Sequence, residues 1–355
     1  MENKKYLVYL HSLGISQKKL FSIFEKEKNY KDFFENLNLS SLKAYFSQDN
    51  QIQKILEKKE KLKYKEIDTI LEKNAIKIIV FGEQEYPKLL QEIAIPPFFL
   101  YVRGNLDNSP KLAIIGSRKI SEYGKKIIEK ITPSLLPYFN IVSGGAIGCD
   151  SLAHEETLKN EGKTIVIIGT GIDICYPATN KKMYEKVVEK GGAIVSIFPL
   201  GEGPNPYNFP IRNEIIAGIS NGVIVVEAGE KSGTLITANL ALEQGKDLFA
   251  VPGDIFKAHS LGCNKLIKSG EAKPVSMVED ILEEYNITNF STAKTINFCE
   301  KLEKDIYDLL IVESLTLDEI AKRLSISVSE VAIKISFMEI KGYLKKTGAG
   351  KYEII

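Results

Sequence analysis

From Ile76 to Val251 the chain alternates short apolar runs with longer helical stretches, and this alternation limits its fold more than any other feature. The runs are 76–81, 98–102, 112–115, 141–143, 164–168, 193–198, 223–226 and 248–251. The six from 112 onward have almost no polar residues, as parallel strands buried on both faces require. Helical stretches lie between them, near 121–136, 150–160, 180–190, 212–219 and 234–245. Repetition of this kind predicts an α/β fold, a doubly wound, Rossmann-like and mostly parallel sheet. Such sheets bind ligands at the carboxyl ends of their strands.

The flanks read differently. Residues 1–73 show helical periodicity without strand signals, with Leu7, Leu10, Leu13 and then Leu20, Ile23, Phe24 recurring at three and four. They fit a small helical domain of the sterile-alpha-motif or helix-hairpin-helix type. Residues 74–290 form the Rossmann-like domain, and a polar stretch, Asn286–Asn297, closes it. In 298–355, a helical pattern over 300–313 precedes two capping boxes, Thr316 to Glu319 and Ser327 to Glu330. A hairpin around Thr347-Gly348-Ala349-Gly350 completes a winged helix-turn-helix. Its recognition helix, Ser327–Ile340, offers only Lys334 as a cation, so protein docking fits it at least as well as duplex reading.

Net charge is +1, which excludes a global field for nucleic acid or acidic lipid; any polyanion site must be a local groove. The local excess lies before Asn74, where 15 lysines face 11 acidic residues. Cys149, Cys175, Cys263 and Cys299 are scattered without a C-x-x-C pair, which favours reduced thiols and a cytoplasmic location over disulfides or zinc. His11, His154 and His259 are too dispersed for a metal cluster. No apolar run approaches the ~20 residues that cross a bilayer, so no membrane role is expected. Lys4-Lys5 and the apolar residues after them read as a first amphipathic helix, because His11 and Ser12 interrupt any leader-like core.

Glycines mark the ends of the strands. The turns are Gly116-Ser117-Arg118, Ser143-Gly144-Gly145-Ala146-Ile147-Gly148-Cys149-Asp150, Gly169-Thr170-Gly171-Ile172-Asp173 and Lys231-Ser232-Gly233-Thr234. Glycine lets main-chain N–H groups and a helix N-terminus face an anion, and Ser117, Ser143 and Thr234 add hydroxyls. Only four of the 47 basic residues are arginines; Arg118 and Arg212 both fall in such turns. A guanidinium grips phosphate through paired hydrogen bonds, and equally ties a loop to backbone carbonyls. Both roles stay open on sequence alone. Phe209 and Tyr207, beside Arg212, offer a stacking face for a base or pack into the sheet edge.

Other motifs point away from catalysis. There is no G-x-G-x-x-G fingerprint and no Walker stretch. Asp150 and His154 share a helix face, where a capping Asp and a satisfied His outweigh an acid–base pair. Cys149 reads as packing, and Asp173 and Glu227 as either ligand contacts or loop anchors.

With these residues the chain resembles the DNA-processing protein A family (DprA, or Smf). The likeness spans roughly 76–285. Besides the turns above it takes in Tyr176-Pro177-Ala178-Thr179-Asn180, Asn208-Phe209-Pro210-Ile211-Arg212-Asn213, Leu235-Ile236-Thr237-Ala238 and Ala250-Val251-Pro252-Gly253-Asp254. The resemblance implies a cofactor-free, non-enzymatic protein that binds single-stranded DNA and dimerises through its α/β domain. It implies protection of incoming strands in natural transformation and help in loading the RecA recombinase. Carried over by motif, the strand groove would comprise Gly116, Ser117, Arg118, Ser143, Gly144, Gly145, Gly148, Phe209, Arg212, Asn213, Ser232, Gly233 and Thr234. Lys181 and Lys182 would add phosphate contacts. Glu214 departs from the basic residue usual there, which bears on the charge of the groove. Cys149 and Cys263 depart from the usual hydrophobic and Ser/Thr residues, with little consequence expected.

Two alternatives remain: a phosphoribohydrolase of the same broad fold, and a winged-helix reader of duplex DNA. The first needs a catalytic Glu shortly after the P-G-G-x-G-T turn, and no carboxylate occupies the three positions after Thr234. The second is disfavoured by the cation-poor recognition helix.

Overall fold

The structure, a computed structural model, describes residues 3–27, 29–287, 300–348 and 350–354. The expectations for Cys299, Ala349 and most of the polar stretch therefore lie outside the described residues. The chain divides into two compact units, Met1–Asn289 and Phe290–Ile355.

The first unit opens with six helices: α1 Lys5–Ser12, α2 Gln17–Phe24, α3 Tyr30–Glu35, α4 Leu39–Lys43, α5 Asp49–Lys61 and α6 Tyr64–Lys73. An antiparallel pair follows, β1 Ile76–Val80 and β2 Phe99–Gly104, joined through α7 Lys88–Gln91. The alternating series is β3 Lys111–Ile115, α8 Glu122–Leu135, β4 Asn140–Ser143, α9 Cys149–Lys159 and β5 Thr164–Ile167. It continues with α10 Lys181–Glu189, β6 Ala193–Ser196, α11 Asn208–Ile219, β7 Gly222–Val225, α12 Thr234–Glu243 and β8 Asp247–Ala250. The end of the unit adds α13 Leu261–Lys268, β9 Lys273–Pro274 and α14 Glu279–Leu282. The run pattern foresaw all eight longer strands. It missed α13, and also β9, whose two residues are too short to show a period.

The nine strands are ordered β1-β2-β6-β5-β4-β3-β7-β8-β9, parallel from β6 to β9. The chain winds outward from β3 to β6, then returns to place β7 on the other side of β3. That reversal is the topological switch where such sheets open a crevice. Strand alternation divides the core in two. Phe99, Tyr101, Val166 and Ile194 face α1–α6 and α10, whereas Leu100, Val102, Ile165 and Val195 face α11 and α12. The N-terminal helices thus share one core with the β1–β2–β6 edge. Gln17 fastens them, donating to Ile197 O (2.8 Å) and accepting from Phe99 N (3.0 Å), while His11 Nδ1 meets the Tyr101 hydroxyl at 2.9 Å.

The second unit comprises α15 Lys301–Val312, α16 Leu317–Leu324 and α17 Val328–Ile340, then an antiparallel hairpin, β10 Leu344–Lys346 and β11 Tyr352–Ile354. Both capping boxes form, at Thr316/Glu319 and Ser327/Glu330. Ile306, Ile320, Val331, Ile335, Leu344 and Tyr352 make its core. On α17, Lys334 is held by Glu300 at 2.6 Å, and Ile333, Phe337 and Ile340 are exposed.

Candidate nucleic-acid interface

The glycine turns gather at the carboxyl end of the sheet, and Gly116, Gly144, Gly145 and Gly148 leave no room there for a side chain. A Cβ on Gly144 would strike the Arg212 guanidinium and lie 2.6 Å from the Asp150 carboxylate. Gly148 has φ +92° and rests on the carbonyls of Ser117 and Arg118, where a side chain would be both strained and obstructed. The next residue, Cys149, donates its N–H to Ser117 O at 3.1 Å, locking the β3 turn to the β4 turn. Its thiol packs on Gly116, and burial raises its pKa far beyond reactive range. Asn180, at the start of α10, holds the β4 turn from the other side by donating to Gly145 O (3.0 Å).

Arg212 lies within α11 rather than in a turn. The helix begins four residues earlier than its apolar pattern suggests, because Pro210 falls in the first helical turn, where its missing N–H costs nothing. The helix turns Arg212 inward. It is 5 % exposed, donates from Nη1 to Gly144 O and to Ile167 O (2.8 Å), and from Nε to Asn213 Oδ1 (3.0 Å). Of the two roles sequence left open, the one with direct hydrogen bonds is the tie to backbone carbonyls. Asp150 faces it and accepts from Ala146 N at 3.2 Å. Burial lowers the Arg212 pKa and raises that of Asp150, each opposed by the other's charge. Desolvation outweighs attraction for both groups, as expected of a pair taken out of water.

Arg118 is the opposite case. Its side chain is exposed, and it makes no ion pair with any described residue. Its guanidinium carbon lies 5.6 Å from the Phe209 ring centroid, with that of Arg212 at 5.8 Å. Phe209 is half-buried, backed by Gly169 and flanked by Tyr176 with centroids 6.1 Å apart. Lys181 and Lys182, adjoining Asn180, are exposed and also free of ion pairs among the described residues.

The remaining sequence candidates separate. Ser143 is fully buried and spends its hydroxyl on Ile114 O (2.6 Å). Ser117 closes a local turn with Lys119, donating to its carbonyl and accepting from its N–H. Ser232, Gly233 and Thr234 follow β7, beside β3. The Ser232 hydroxyl bonds within the turn, to Thr234 Oγ1 at 3.0 Å and from Thr234 N, and the space over Gly233 is open. His154 is buried, with Nδ1 on Thr164 Oγ1 (2.6 Å) and a pKa lowered to about 3 by burial and then by Arg212. Asp173 anchors Gly201 N, and Glu227 anchors Ser121. Tyr176 and Asn180 entered the sequence analysis only within a motif of the resemblance, with no role of their own; they meet their partners Phe209 and Gly145 across more than 30 residues of sequence.

The arrangement is a main-chain cradle with an aromatic face, one guanidinium and two ammoniums that make no ion pair among the described residues. Among the described residues no group of three or more His, Cys, Asp or Glu could hold a metal, and no helix is long and apolar enough to cross a membrane.

The chain is similar to known proteins. DNA processing protein DprA of Streptococcus pneumoniae is 45% identical over 202 residues, 56% of this chain and 71% of its own. The X-ray structure of the S. pneumoniae protein superposes with a TM-score of 0.66 at 35% identity, covering 79% of this chain and 97% of that one. DNA processing protein A of Helicobacter pylori, whose structural study concerns its single-stranded DNA binding mode, gives a TM-score of 0.54 at 28% identity. It covers 60% of this chain and 97% of that one. The family model for DNA recombination-mediator protein A matches residues 77–286, the span that builds the sheet and the cradle, and the chain belongs to that family.

Proposed function

We propose that the cradle binds single-stranded DNA without chemical turnover. The observation that carries this reading is Arg118 poised beside Phe209, a cation without an ion pair among the described residues, next to a ring at the mouth of a glycine-lined crevice. Phosphates suit the guanidinium, Lys181, Lys182 and the N–H groups of the turns, while an unstacked base suits Phe209 and Tyr176. Asn213, Ser232, Gly233 and Thr234 extend the same edge of the sheet. Arg212, Ser143, Gly144 and Gly148 serve the strand indirectly, by fixing the turns.

In the cell we assign this activity to recombination mediation: a cytoplasmic homodimer that shields single strands entering by natural transformation and hands them to RecA. Membership of the family supports this, as does the strand-binding mode described for the H. pylori relative. A hydrolytic reading finds less support, since the carboxylates near the turns, Asp150, Asp173 and Glu227, are already bonded to the protein. Duplex reading by α17 is disfavoured by the pairing of Lys334 with Glu300.

A gel-shift titration comparing oligo-dT, duplex and nucleoside monophosphates tests the proposal. Tight binding of oligo-dT alone is expected. Release of free base from the monophosphates at enzymatic rates would favour the phosphoribohydrolase instead.

A further inference from the structure

We infer that the strand does not stop at the cradle but continues into the groove between α9 and α10, where Lys186 meets its backbone one helical turn beyond Lys182. The inference rests on the strand-binding reading above and adds a surface that reading does not use. The groove has a volume of about 510 Å³, with Leu158 and Lys159 on its α9 wall and Lys182, Met183 and Lys186 on its α10 wall. Asn180 also lines it, and its side chain holds the Gly145 carbonyl, so groove and cradle meet at one residue.

The charges set how far the track runs. Lys159 pairs with Glu156 at 3.1 Å and Lys190 with Glu161 at 2.7 Å, so the end of the groove remote from the cradle is neutralised. Glu155 and Glu189 add negative charge to its lining. Lys182 and Lys186 make no ion pair with any described residue. Like charges four apart on a helix destabilise it, so two lysines held in no ion pair among the described residues suit a surface that meets an anion. One turn advances about 5.4 Å along the axis, which sets the two ammoniums in succession leading away from the Gly145 turn. A free phosphate would need only one of them. A continuing phosphodiester backbone engages both and reaches them from the cradle.

Fluorescence anisotropy with oligo-dT of about 6 and about 20 nucleotides, the first near the short end of usual single-strand site sizes and the second beyond their long end, tests this. The full chain is compared with Lys186→Glu and Lys190→Ala across a series of salt concentrations. Lys186→Glu should weaken the long oligonucleotide about tenfold and lower its salt slope by about 0.7, the value for one single-strand phosphate contact. Binding of the short one should be unchanged, and Lys190→Ala should leave both unchanged. Equal affinity of Lys186→Glu and the unsubstituted protein for the long strand, or an equal loss on short and long, would overturn the inference. Failure of the unsubstituted protein to bind either strand would overturn the cradle reading itself.

Discussion

Arg212 donates from its guanidinium to the carbonyl oxygen of Gly144, 68 residues earlier in the chain, and so ties α11 to the turn after β4. Because the same nitrogen also reaches Ile167 O, three loops at the carboxyl end of the sheet depend on one buried side chain. The two arginines of the site therefore divide the work: Arg212 shapes the cradle and Arg118 is left to meet a ligand.

Replacing Arg212 by Ala leaves Asp150 buried without its cation and two carbonyls without donors. Breaking a buried pair in this way costs about 3–5 kcal/mol. A denaturant titration should show that loss, and Arg212→Lys, which keeps a cation beside Asp150 but loses the Nε–H donated to Asn213, should fall between Arg212→Ala and the unsubstituted protein. An unchanged midpoint for Arg212→Ala would mean that the tie contributes nothing.

Arg118→Ala should fold normally and bind oligo-dT about 1–3 kcal/mol more weakly, the loss expected of a charge-assisted contact. Its salt slope should drop by about 0.7 for each phosphate released. Identical affinity and slope would move the strand elsewhere on the protein.

Gly144→Ala forces a methyl against Arg212 and Asp150. Overpacking of this kind costs about 1–3 kcal/mol, and shifting the turn should weaken strand binding as well. Thermal melting and anisotropy measured on one preparation would show both losses together. A variant that melts like the unsubstituted protein and binds normally would contradict the tight fit at this position.

How legible was the site? Arg118 and the glycine turns were readable because tight strand exits and a scarce arginine both leave marks in the sequence. The direction of Arg212 was not readable: one helical turn decides whether a side chain faces solvent or the sheet, and Pro210 hid where that helix starts. The fate of Ser143 was equally hidden, since Ile114, its acceptor, is 29 residues away on a neighbouring strand. The strands were legible from their apolar runs. The shared core of α1–α6 with β1 and β2 was not, because amphipathic helices show which face is apolar without showing what it meets.

His11 and His154 make stability depend on acid. Burial lowers His11 to about 4 and His154 to about 3, so each binds its proton more weakly folded than unfolded. Their contribution is present above the ordinary histidine value of about 6.5 and is lost as pH falls toward those lower values. Melting temperature should fall between pH 7 and 4, and His11→Phe, which retains the ring contacts with Phe99 and Tyr101, should flatten part of that fall. A slope unchanged by the substitution would remove His11 from the account.

The most direct test of the cradle is a crystal of the full chain grown with oligo-dT. The account expects a phosphate within hydrogen-bonding distance of the Arg118 guanidinium and a base against Phe209, with Arg212 still bonded to Gly144. A strand bound elsewhere, with Arg118 and the glycine turns bare, would contradict it.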